Sequence, residues 1–143
     1  MTGRPEEFKL RTKQFALRIV RPFQSLPGTA EARILGQQLL RSGTSVAANY
    51  LAVCRSRSKA EFIAKIGLVV EEADETVFWL ELLTESGLAE KTCVLNLMQE
   101  ANELPAVFAA SHATSRKARH TVEKAVQNER TASAQRTNDS MAR

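Results

Sequence analysis

Four apolar stripes at helical spacing, no strand-like alternation anywhere, and short connections between the stripes predict an all-α protein. The architecture they define is an antiparallel up-and-down four-helix bundle followed by a disordered basic tail. The longest stripe sets the frame. Phe62, Ile66, Val69, Ala73, Thr76, Leu80 and Leu83 alternate in steps of four and three, an unbroken heptad pattern down one helix face. Ser58 and Glu61 form an S-x-x-E capping box at its start, and Gly87 stops it. A helix this apolar must pack along most of its length.

The first helix is expected from about Glu6 to Ser25, with Phe8, Phe15, Ile19, Phe23 and Leu26 turned inward. Pro22 removes an amide donor, which predicts a kink or an early end there. Leu26-Pro27-Gly28 breaks the chain and Thr29 suits an N-cap. The second helix, Ala30 to Arg55, carries an inner stripe of Leu35, Leu39, Ser42, Val46, Asn49 and Val53. Beside it runs a mostly small stripe of Gly36, Leu40, Gly43, Ala47 and Tyr50. Interior glycines cost roughly 1 kcal/mol each relative to alanine, so close approach of a neighbouring helix is the expected compensation. Ser42 and Asn49 need polar partners if buried, and fixing helix register is their expected role. Arg55-Ser56-Arg57-Ser58 is a short connection that makes helices two and three antiparallel neighbours. The fourth helix is expected from Ala89 to Ala113 on Val94, Leu97, Ala101, Leu104 and Phe108, with a second kink at Pro105. From Thr114 the apolar periodicity fades. The expected organisation is therefore a bundle over residues 1–113 and a basic, disordered tail over 114–143.

Charge is distributed unevenly. Residues 1–65 carry twelve Lys/Arg against four acids, residues 66–111 one lysine against nine acids, and residues 112–143 seven cations against three acids. A basic half and an acidic half in one compact body suit head-to-tail self-association. Phe78, Trp79 and Leu82 lie off the main stripe, where they face either another helix or a neighbouring subunit. No apolar run approaches the ~18 residues a membrane span needs. The N-terminus lacks a secretory apolar region. Cys54 and Cys93 stand far apart without metal-ligand spacing, which reads as two reduced thiols in a cytoplasmic protein.

Catalysis finds little support. His112 and His120 fall at the end of helix four and in the tail, away from any position where they would activate a nucleophile in the bundle. Glu71, Glu72, Asp74 and Glu75 invite a di-metal reading, but bundle di-iron sites also need E-x-x-H pairs, and the chain has none. No phosphate-cradling glycine loop is present, and no cofactor is implied. The expectation is a protein that is not an enzyme. Arg11, Lys13, Arg18, Arg21, Arg41, Arg55, Arg57 and Lys59 are the candidate nucleic-acid contacts, suited to phosphates rather than to base edges. The aromatic rings sit mainly on apolar stripes, so base stacking is not indicated.

Arg41 to Tyr50 (RSGTSVAANY) and Ser58 to Leu83 (SKAEFIAKIGLVVEEADETVFWLELL) resemble the bacterial four helix bundle proteins labelled 23S ribosomal RNA-associated or intervening-sequence proteins. The likeness spans about Phe15 to Ser111. It implies a cytoplasmic homopentamer, and a likeness to the accessory proteins of diversity-generating retroelements, pentameric bundles whose basic surface engages nucleic acid and a reverse transcriptase. RNA, with ribosomal RNA foremost, and further copies of the chain are the implied partners. A protein–protein scaffold without nucleic-acid affinity is the alternative. The chain departs from the pattern at Ala52, where the family commonly has glutamate, and at Pro22 and Pro105.

Overall fold

The computed structural model describes the backbone of residues 5–141, and the side chains of residues 5–110, 113 and 117–136. Among the described residues there are four helices and no strand: α1 (Pro5–Ser25), α2 (Ala30–Cys54), α3 (Lys59–Glu85) and α4 (Lys91–Met141). Each packs on its neighbour in sequence, and α1 meets α4 least extensively, so the bundle closes on that seam.

The ends of α3 follow from local chemistry. Ser58 is extended, and its Oγ accepts the Glu61 amide at 3.1 Å. The Glu61 carboxylate reaches back to accept the Arg57 amide at 2.8 Å, one residue before the position a capping box usually serves. At the other end Gly87 adopts φ +76, and the Leu88 amide donates to the Leu83 carbonyl at 3.0 Å. With the Gly87 amide on Thr84, this is the paired bonding of a Schellman turn, which requires a left-handed residue. Thr29 caps α2 through its side chain on the Ala32 amide.

The inner stripes meet in one core. All of Ile66, Val69, Ala73, Thr76, Leu80 and Leu83 from α3 are buried, as are Val94, Leu97, Ala101, Leu104 and Phe108 from α4. Each fully buried aliphatic or aromatic side chain contributes on the order of 1.5–3 kcal/mol. Phe62, Leu35 and Asn49 are only half-buried at the margins. On α2 the glycine positions explain the α1–α2 contact. A Cβ at Gly43 would lie 2.7 Å from Ile19 Cγ1, and one at Gly36 would lie 2.5 Å from Leu26 Cδ1. Ile19 of α1 and Leu26 just past its end occupy the volume that any larger residue would need.

Two expectations change. Ser42 is buried, but its hydroxyl donates to Leu39 of its own helix at 3.3 Å, so it fixes no register between helices. Pro22 does not end α1, which runs on to Ser25. The proline falls in the last turn, where one amide is all it removes. The backbone of α4 stays helical to Met141, and the basic segment after Ala113 stands apart from the bundle as the tail that the sequence predicts. That segment contains neither Gly nor Pro and is rich in Ala, Arg, Lys, Glu and Gln, which keep the backbone helical. It remains separate from the bundle in packing: every described side chain from Lys117 to Arg136 is exposed.

Candidate nucleic-acid interface

The eight cations singled out from the sequence fall into two groups. Arg11 is bound: its Nε donates to Glu100 at 2.6 Å and its Nη2 to Glu100 and Glu103 at 3.0 Å, tying α1 to α4. The Glu100 carboxylate raises the Arg11 pKa above its ordinary value. Arg41 makes the equivalent clamp between α2 and α3. Its Nη1 lies 3.3 Å from Glu72, and its Nη2 contacts Glu75. The Trp79 indole N–H also donates to Glu75, at 3.1 Å. Arg41 first, and then Trp79, hold the Glu75 carboxyl below the usual carboxylate range. Two guanidinium groups already forked onto carboxylates have little left to offer a phosphate.

The other six, Lys13, Arg18, Arg21, Arg55, Arg57 and Lys59, are exposed, and none has an ion-pair partner among the described residues. They do not share one surface. Arg18 borders a cavity of about 280 Å³ with Gln14, Leu17 and Glu100 on the α1–α4 seam. Farther along that seam, Arg21 borders a cavity of about 360 Å³ floored by Leu26, Leu88 and Val94. Lys13 lies about 140° around α1 from Arg18, on a different face. Arg55, Arg57 and Lys59 fall within five residues at the opposite end, where α2 turns into α3.

That end gains further cations from α4. Lys117, Arg119, His120 and Glu123 line a cleft of about 590 Å³ against Ile63, one turn beyond Lys59 on α3. Arg119 pairs with Glu123 at 2.8 Å, and among the described residues the side chains of Lys117 and His120 have no carboxylate partner. Arg116 and His112 have side chains outside the described residues. The floor of this end is aromatic: Phe8, Tyr50 and Phe108 pack with ring centroids 5.5–5.9 Å apart. Burial, and secondarily the neighbouring Cys54 thiol, raise the Tyr50 phenol far above its ordinary pKa. A ring sequestered in this way has no face to offer a base.

Sequence reasoning missed both clamps. Periodicity places Arg11 next to the buried Thr12 and Phe15, but it does not say which α4 residue stands opposite. It also grouped Glu72 and Glu75 with Glu71 and Asp74 as one acidic run. The structure separates them: the first two hold Arg41, and the last two are exposed. Among the described residues no group of three or more His, Cys, Asp or Glu is arranged to hold a metal ion. No described helix is long and apolar enough to cross a membrane.

An all-helical bundle with a basic end and no described metal cluster is the class that the geometry defines. Residues 7–110 match the family model of the 23S rRNA-intervening sequence proteins, and the chain belongs to that family. It is similar to a solved protein of unknown function of the S23 ribosomal protein family from Bacteroides thetaiotaomicron. The two are 30% identical, the match covers 73% of this chain and 97% of that one, and the TM-score is 0.68. Among curated protein sequences none matches. The segment beyond residue 110 lies outside the family match.

Proposed function

We propose that the protein is a non-enzymatic, oligomeric RNA-binding protein of the cytoplasm that holds structured RNA, ribosomal RNA foremost, through its basic end. The observation that carries this reading is the group Arg55, Arg57 and Lys59: three exposed cations whose side chains have no carboxylate partner among the described residues, all within five residues where α2 turns into α3. Lys117 and His120 across the cleft extend the same surface. Such a surface contacts phosphates without reading sequence, and its affinity falls as counterions are retained at higher salt. Arg18, Arg21 and Lys13 are secondary contacts in this reading, because they lie along α1 rather than at that end. Arg11 and Arg41 serve the bundle. The family's name, which links it to 23S rRNA, supports RNA over DNA as the partner. Residues 1–113 form the bundle, and 114–143 are an appendage whose Lys117 and His120 join the binding surface.

Fluorescence anisotropy with a labelled structured ribosomal RNA fragment, over a salt series, tests this. Replacing Arg55, Arg57 and Lys59 together by glutamine is expected to weaken binding at least tenfold and to reduce the log–log salt slope by about 2. Arg18→Gln with Arg21→Gln is expected to do much less. Equal losses from both sets, or no loss from the first, overturn the assignment of the basic end.

A further inference from the structure

We propose that the outer face of α3 is a docking site for the α4 extension, the part of α4 after Ala113, of a second copy of this chain. Among the described residues the apolar side chains of both surfaces are exposed, and each surface has what the other lacks.

On α3, Leu68, Glu71, Phe78, Leu82 and Glu85 recur at helical spacing on the side opposite the core. Leu68 is 50% and Phe78 52% exposed, a large apolar area for a surface helix. Glu71, Asp74, Glu81 and Glu85 flank it, all exposed and without a cation partner among the described residues. On the extension the pattern is inverted in sign. Val122 and Val126 are exposed, and Ala118, Ala125 and Ala132 line the same side. Lys117, Lys124, Arg130 and Arg136 are exposed around them and have no carboxylate partner among the described residues. Lengths agree as well: α3 has 27 residues, and at 1.5 Å per residue it and the extension each run about 40 Å.

Geometry selects a second copy over the chain's own α3. No Gly or Pro follows Pro105, and α4 is one continuous helix of 51 residues that leaves the bundle past the first turns of α3. Folding back onto its own α3 would require breaking that helix. Helices of this composition are marginal in water without packing, so burial of the Val122–Val126 side is what an intermolecular contact supplies. Phosphate contact would use the cations but leave that apolar side exposed. The contact joins two different surfaces, so it propagates head to tail and closes as a ring only if the rotation permits.

Charge reversal in the full chain tests the proposal by sedimentation velocity at low and physiological salt. Glu71→Lys with Asp74→Lys and Glu81→Lys, or Lys117→Glu with Lys124→Glu and Arg130→Glu, should each weaken self-association at least tenfold. Both sets combined in one chain should restore it, as should an equimolar mixture of the two variants. Every substituted side chain is exposed, and unchanged thermal unfolding would confirm that the bundle is intact. Assembly unaffected by either set overturns the proposal. So does an extension variant that loses RNA affinity while sedimenting as the parent does, because the extension then serves nucleic acid.

Discussion

The α3 helix and the extension of α4 are helices of nearly equal length with opposite fates. α3 carries a seven-residue stripe that is buried almost throughout, has a side-chain cap at one end and a left-handed glycine at the other. Among its described side chains the extension has two valines as the largest apolar residues, and it buries none of them. Both are helical because both avoid proline and are built largely from good helix formers. What separates them is packing. Propensity decides whether a segment is a helix, and only the apolar stripe decides where it lies.

The comparison can be broken most directly in the core. Leu80→Ala on α3 should lower unfolding free energy by about 2–5 kcal/mol in urea titrations, through lost burial and the cavity left behind. Val122→Ala on the extension should leave it within about 0.5 kcal/mol of the parent. Equal effects would mean that the extension packs on the bundle. Gly43→Val comes next. Its side chain enters the space of Ile19 Cγ1, and a loss of about 1–3 kcal/mol is expected. Ile19→Ala combined with it should recover part of that loss if the clash is the cause.

Removing the Arg11 clamp is a smaller perturbation. The Arg11 side chain is one-third exposed, so Arg11→Ala should cost about 1 kcal/mol, with a double-mutant cycle against Glu100→Ala locating the coupling on that pair. The smallest effect is expected from pH. Glu75 has its carboxyl lowered in the folded protein, so its contribution is present above the ordinary carboxylate range and is lost as pH falls through the lowered value. Glu75→Gln should therefore flatten the acid limb of the stability profile slightly and leave neutral pH almost unchanged. A steep acid limb that survives the substitution would assign it to other groups.

The sequence was most informative where a signal is local and periodic. The buried stripe of α3, the Thr29 and Ser58 caps, the Gly87 turn and the small face at Gly36 and Gly43 were all legible, because each depends on residues within about two turns of one another. The clamps were not. Arg11 and Glu100 stand 89 positions apart, and their meeting depends on how far α1 and α4 are rotated about their axes. Two of the eight candidate contacts therefore turned out to be engaged within the bundle. Beyond Ala113 the loss of apolar periodicity marks where the core ends, and every described side chain from Lys117 to Arg136 is exposed there.

Trp79 and Tyr50 are the protein's single tryptophan and single tyrosine, and they stand in unlike places. Trp79 is half-buried on α3, against Phe78 and hydrogen-bonded to Glu75, while Tyr50 is sealed under the basic end. The chain thus contains its own pair of optical reporters. Indole emission will respond to whatever covers α3, and tyrosine absorbance to disturbance of the aromatic floor. Events on the two surfaces can be followed in one cuvette, without a dye and without altering a residue.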